Sequence, residues 1–230
     1  MKRALAALLI VVTVANSPRA AAQATTPLRP GRDSLTVSLV RGADTVKTGW
    51  IRDELLLRNE SGVATVVRNY ETQDRVLGNS VYTVRDRLSD LRPINASAHT
   101  SRGDLTVKFG PLLASGWLRS PSGDSIPLTV VLPPDAINSS TFDLLIRAAP
   151  LRAGWALDVP AVIAESGEVV QLTAHVAGED VIDGVTTWRV EGVFTGMLVT
   201  FWVAKIDRHM VLQRMAPPGG FVILIRSTGK

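Results

Sequence analysis

From residue 34 onward, apolar and polar residues alternate with a period of two. Leu35, Val37 and Leu39 are interleaved with Ser34, Thr36 and Ser38, and 81–87 (VYTVRDR) and 105–109 (LTVKF) behave similarly. Successive side chains on extended backbone point to opposite faces, so the pattern predicts antiparallel strands with one buried face. The breaks at Gly42-Ala43-Asp44, Asn59-Glu60-Ser61-Gly62, Ser101-Arg102-Gly103-Asp104 and Ser120-Pro121-Ser122-Gly123-Asp124 carry turn chemistry.

The C-terminal part predicts a meander of strands over 167–177, 185–194, 197–206, 210–215 and 221–226. Its turns are expected at Glu179-Asp180, Asp183-Gly184, Asp207-Arg208 and 217–220. On the second strand Thr186, Trp188, Val190 and Phe194 share a face opposite Thr187, Arg189 and Glu191. The third is apolar on both faces, with Met197, Val199, Phe201 and Val203 on one and Leu198, Trp202, Ala204 and Ile206 on the other. Such a strand requires cover on both sides, from a second sheet, a helix or a bound apolar ligand.

One helix interrupts the strands. After Pro133 and Pro134, the run Ser140-Thr141-Phe142-Asp143 has the spacing of a capping box, in which the Ser140 hydroxyl caps and Asp143 reaches back. Phe142, Leu145, Ile146 and Ala149 form one stripe, and Pro150 ends it. The alternative is an apolar loop across a barrel end. The expected class is therefore mainly β: a strongly curved antiparallel sheet, or half-open barrel, with one short helix across its concave face.

The start of the chain changes the picture of where this sheet works. Lys2 and Arg3 precede an apolar run from Ala4 to Val12, and Ala20, Ala21 and Ala22 follow Pro18. That is the layout of a secretory signal peptide, with cleavage expected after Ala22 or Ala24; the run is shorter than the roughly 20 residues that span a bilayer. The expected organisation is signal peptide 1–22, flexible lead-in 23–33 and a single β-rich domain 34–230. Removing Lys2, Arg3 and Arg19 leaves 22 basic against 21 acidic residues, so the formal charge of +4 falls to near neutrality and nucleic-acid binding is not expected. With no cysteine, the chain has no disulfide, no thiolate metal site and no residue for lipid attachment.

Candidate chemistry is sparse. No G-x-S-x-G elbow or phosphate-cradling glycine loop is present, and His99, His175 and His209 lack zinc-site spacing. Asp207 and His209 share a face of an extended segment, as a carboxylate and the general base it orients would, but they fall at a predicted turn. His175 shares a strand face with Gln171 and Thr173 and is expected to be solvated. Glu179, Asp180 and Asp183 are a calcium candidate without regular loop spacing. Trp50, Trp117, Trp155, Trp188 and Trp202 are expected mainly as core, with Trp188 and Trp202 on adjacent strands favoured for a cleft. Phe142, Trp188, Phe201 and Trp202 are the candidate apolar ligand-binding residues, and no catalytic residue, metal or cofactor is expected. A transmembrane barrel fits poorly, because aromatics are only 5% of residues and the chain ends Ser227-Thr228-Gly229-Lys230.

A set of features in fixed order carries a family resemblance. Leu91-Arg92-Pro93 is followed by Gly110 through Gly116-Trp117-Leu118, then by the short helix ending in 149–154 (APLRAG), then by 181–191 (VIDGVTTWRVE), Gly196 and Trp202-Val203-Ala204. In this the chain resembles the exported family of domain of unknown function 3108, similar in fold to the lipoprotein carriers LolA and LolB. The resemblance implies a half-open barrel whose concave face holds acyl chains. It makes a lipid or lipoprotein acyl chain the expected partner in the periplasm, or less expectedly outside the cell, with peripheral membrane contact. The alternatives are an envelope interaction domain with a filled core and a protein partner, and an envelope hydrolase using Asp207 and His209.

Overall fold

The structure, a computed structural model, describes residues 28–228. The expected signal peptide and residues 23–27 of the expected lead-in lie outside the described residues, as do Gly229 and Lys230.

Fifteen strands form one curved sheet. The first eight are β1 (Gly31–Arg41), β2 (Asp44–Glu60), β3 (Val63–Asp74), β4 (Gly78–Arg87), β5 (Pro93–Thr100), β6 (Gly103–Phe109), β7 (Leu113–Arg119) and β8 (Ser125–Val131). They run hairpin by hairpin from the middle of the sheet to one edge. The chain then crosses the concave face through β9 (Ile137–Asn138), a 3-10 turn (Ser139–Thr141) and helix α1 (Phe142–Ala148). It returns from the other edge through β10 (Ala156–Ile163), β11 (Glu168–Ile182), β12 (Val185–Phe194), β13 (Met197–Ala204), β14 (Met210–Ala216) and β15 (Val222–Ser227). β15 pairs antiparallel with β1, so both halves share one sheet; β9 runs parallel to β10.

The two edge strands, β8 and β9, do not pair with each other, so the sheet is not a closed barrel. Side chains close part of the gap instead. Val130 on β8 packs in one buried cluster with Leu105, Val107 and Ala114 on one side and Val162 and Ala164 from the far edge on the other. A second cluster, Leu35, Val37, Ile51, Ile223 and Ile225, lies under the central strands. The largest surrounds α1.

The alternation at the start of the domain sets the inward face as expected, with Leu35 and Val37 at most 7% exposed. Three expectations need correction. The described end of the lead-in is part of the fold: Leu28 is buried in the main core, and Gly31 to Asp33 already pair with Leu55 to Asp53. Glu179-Asp180 is not a turn, because β11 runs on to Ile182 past a bulge between Val176 and Gly178, and Asp180 pairs with Thr187. The third strand of the meander is fully covered on one face, by burial of Val199, Phe201 and Val203, and only partly on the other: Ala204 is buried and Trp202 half-buried, but Leu198 is 61% exposed, and Ile206, 94% exposed, lies in the turn beyond the strand.

Helix α1 forms where it was predicted, but not by the predicted cap. Thr141, the residue before α1, makes no side-chain capping bond; Asn138 Oδ1 caps the preceding 3-10 turn instead, accepting from Ser140 N at 3.1 Å and from the Ser140 hydroxyl at 2.9 Å, while Asp143 turns to Arg68. Ala149 is extended at ψ 152°, as the residue before a proline must be, and this ends the helix. Every residue of α1 except Asp143 is buried, not only one stripe, because the curved sheet wraps it. Gly192 makes that approach possible: a Cβ there would sit 2.6 Å from Thr173 O and 3.5 Å from the Phe142 ring.

Candidate functional site

The concave face of the sheet and α1 enclose a cavity of about 310 Å³. Its two walls differ in chemistry because they come from different halves of the sheet. β12, β13 and β14 supply Phe194, Met197, Val199, Phe201 and Met215, joined by Phe142 of α1. Phe142 and Phe201 meet edge to face, with ring centroids 5.6 Å apart and planes at 84°. The opposite wall is mostly polar: β3 and β4 bring Arg68, Tyr70 and Tyr82 beside the apolar Val84, the helix start brings Asp143, and Glu165 enters from the β10–β11 turn next to Ile163.

Arg68 is the centre of the polar wall. It is 5% exposed, yet every N–H of its guanidinium has an acceptor. Nε and Nη2 donate to the two oxygens of Asp53 at 2.8 Å each. Nη1 and Nη2 donate to those of Asp143 at 2.7 and 3.0 Å, and Nη1 also to Ser140 O at 3.0 Å. Burial opposes the charge, but Asp143 and Asp53 outweigh it and hold the Arg68 pKa well above its ordinary value. Arg147 of α1, also buried, stands 3.9 Å from Asp53 Oδ2 and donates to Arg208 O at 3.1 Å. Two arginines and two aspartates thus lock the helix to β2 and β3. The Arg68 guanidinium also lies 4.7 Å from the Tyr70 ring centroid.

Asp86 on β4 faces the same interior. It is 1% exposed, and its Oδ1 has no hydrogen-bond partner. Burial pushes its carboxyl up to about 8, a rise that Arg68 only partly opposes. Burial likewise raises both phenols, Tyr70 and Tyr82, and the Glu165 carboxylate raises Tyr82 further, so both rings stay neutral.

Of the four candidate cleft residues, the structure brings Phe142 and Phe201 together on the cavity wall. Trp188 packs against the same core but does not line the cavity, and Lys205 Nζ sits 4.2 Å from its ring centroid. Trp202 is on the other side of the sheet. In the register Trp188 stands opposite Val203 and Trp202 opposite Arg189, so adjacent strands present the two indoles to opposite faces. Trp202 Nε1 donates to Asp180 Oδ2 at 2.7 Å there. None of the five tryptophans is fully buried, and Trp50 and Trp117 carry Arg52 and Arg119 over their rings.

The polar candidates have other partners. Asp207 and His209 do meet, Oδ1 to Nδ1 at 2.5 Å, but at the β13–β14 turn and outside the cavity wall. Burial tends to raise the Asp207 pKa, yet its hydrogen bonds from His209 prevail and hold it below the ordinary value. Glu179 pairs with Lys205, Asp180 with Trp202 and Arg189, and Asp183 with Arg226, so these carboxylates do not converge. Among the described residues no group of three or more metal-ligating side chains gathers. His175 is exposed.

Sequence reasoning missed Asp53, Arg68, Asp86 and the role of Asp143, although a signal was present. Asp53 has the parity of Ile51 and Leu55, and Arg68 that of Val66 and Tyr70. Ionisable residues on a buried parity mark a polar core.

A half-open antiparallel barrel, with a helix on its concave face and a two-faced cavity beside it, defines a class of β-barrel-like folds. The chain belongs to the family described as "Protein of unknown function (DUF3108)", which matches residues 36–223. A similar solved structure is the β-barrel-like protein of domain of unknown function DUF1849 from Brucella abortus. It is 12% identical, with a TM-score of 0.55, covering 87% of this chain and 96% of that one. A DUF1329 family protein from Desulfovibrio piger (12% identical) and a domain described as a candidate outer membrane lipoprotein-sorting protein from Vibrio parahaemolyticus (9%) align over 86% of this chain and 83% of theirs, each at a TM-score of 0.29. The shared fold rests on the first comparison, and identity at that level extends the likeness no further than fold. No curated protein sequence matches this chain.

Proposed function

We propose that the protein is an exported, non-catalytic binding module of the cell envelope, and that it shields the apolar part of an amphiphile, a lipid or acyl chain, in the cavity beside α1. The observation that carries this reading is the cavity itself: about 310 Å³, bounded on one side by six apolar side chains and on the other by a polar wall. Its volume is at the lower end of the roughly 300–1,000 Å³ of small-molecule sites, which fits a single chain and not several. The apolar run and small residues at the start of the sequence support export to the periplasm, and no helix among the described residues is long and apolar enough to cross a membrane.

The test is the uncharged fluorescent probe N-phenyl-1-naphthylamine, whose emission rises in apolar surroundings. Fluorescence should rise on addition of the protein and fall on addition of competing lipid. Met197→Trp, which places a large ring in the cavity from a partly exposed position, should abolish the rise without unfolding the sheet. A second reading is an envelope interaction domain, favoured by the open sheet edge, where Leu112, Leu113 and Val131 are 72%, 49% and 73% exposed. That reading expects no probe uptake, and a captured envelope partner that is lost in Leu112→Lys/Val131→Lys.

A further inference from the structure

We infer that the cavity selects an amphiphile with a cationic head group, a long-chain amine or ammonium, over a carboxylate of the same chain length. The inference rests on the reading of the cavity as a ligand site and concerns which end-group chemistry that site accepts.

Three charged side chains line the cavity: Arg68, Asp143 and Glu165. A fatty acid or phosphate would ordinarily seek the arginine, but here the guanidinium has no N–H left to donate, since Asp53, Asp143 and Ser140 O take all of them. Its charge is also spent. Arg68 and Arg147 balance Asp53 and Asp143, so the quartet contributes no net charge to a ligand. Breaking it to free a donor would leave a buried aspartate uncompensated.

Glu165 lies outside that balance. It is half-buried on the β10–β11 turn, and its partner is the neutral hydroxyl of Tyr82. Among the described residues no cation is within ion-pair distance of it. Arg102, exposed on the β5–β6 turn, acts on Tyr82 through its field but does not line the cavity. Gln213 on the apolar wall is uncharged. A ligand chain laid along Phe142, Phe201 and Met215 therefore meets a net negative charge at its polar end. An ammonium placed there gains a carboxylate, whereas a carboxylate placed there meets repulsion with no free cation to offset it, only neutral donors such as the Gln213 amide and the Ser139 hydroxyl.

The experiment is calorimetric titration of the whole protein at pH 7 with dodecylamine, dodecanol and dodecanoate, each below its aggregation concentration. Dodecylamine should bind about tenfold or more tighter than dodecanoate, as an ion pair in a partly enclosed site implies. Glu165→Gln should bring the two within about threefold, leaving one carboxylate fewer at the head group. Dodecanol should bind wild type and variant alike, which shows that the variant is folded and its apolar wall intact. Dodecanoate binding as tightly as dodecylamine, or a preference that survives Glu165→Gln, would overturn the inference and leave the cavity reading standing. Failure of all three probes to bind would overturn the cavity reading and this inference with it.

Discussion

A buried charge persists only where its partners are in place, and Arg68 shows how completely that condition can be met. Its bidentate bonds to Asp53 and Asp143 join β2, β3 and α1 through one side chain. Arg68→Met removes the donors and leaves two carboxylates facing each other in the core. The expected loss is about 3–5 kcal/mol in urea unfolding, the usual consequence of breaking a buried pair from one side. Adding Asp53→Asn to Arg68→Met should cost less than the sum of the two single changes, since the second removes a charge the first left stranded.

Asp86 makes a separate prediction. Its folded pKa of about 8 lies above its ordinary value of 3.8, so the folded protein holds a proton that the unfolded chain releases. The stability this contributes is full below about pH 4 and declines as pH rises through 8, by about 1.4 kcal/mol per pH unit in the steep part of the window. Thermal unfolding of the wild type should therefore shift to lower temperature between pH 5 and pH 8, and Asp86→Asn should flatten the dependence. A wild-type melting temperature that rises across that range would contradict the assignment.

At the scale of elements, α1 is held by packing, since no side chain caps its start. Gly192→Ala places a methyl group against Thr173 O and the Phe142 ring, and the expected loss is about 1–3 kcal/mol, as for other overpacked sites. Phe142→Ala should cost about 3–5 kcal/mol and enlarge the cavity, both readable by unfolding and by probe uptake.

Strand period and turn chemistry made most of these elements legible in the sequence. The segments 185–194 and 210–215 fall almost residue for residue on β12 and β14 because both begin just after turn residues, Asp183-Gly184 and Asp207-Arg208. The Glu179-Asp180 turn misled because acidic residues suit turns by composition, while in the fold Lys205, Arg189 and the Trp202 indole give them partners on a strand. The helix was legible from its apolar spacing, but the 3-10 turn before it was not, since Asn138 and Ser140 both have capping chemistry and only tertiary contact to Arg68 diverts Asp143.

For the molecule as a whole, the order of the strands determines where a site can form. The chain starts in the middle of the sheet, runs to one edge and returns from the other, so polar β3 and β4 come to face apolar β12 to β14 across α1. That juxtaposition was not legible in the sequence. Arg68, Tyr70 and Tyr82 lie more than 100 positions from Phe194, Met197 and Phe201 along the chain, and nothing local to Arg68 or Phe201 states that they share a cavity. The face of Trp202 was hidden for the same reason: alternation assigns residues to two faces, but only the register with β12 says which face Trp188 and Trp202 each take.

The central proposal is that this cavity holds an apolar chain, and the most direct measurement is mass spectrometry of organic extracts from protein purified natively from its own cells. The account predicts a lipid or other amphiphile in roughly stoichiometric amount from the wild type and its loss from Met197→Trp purified in the same way. A wild-type protein that yields no lipid, or a variant that yields the same lipid in the same amount, would contradict it.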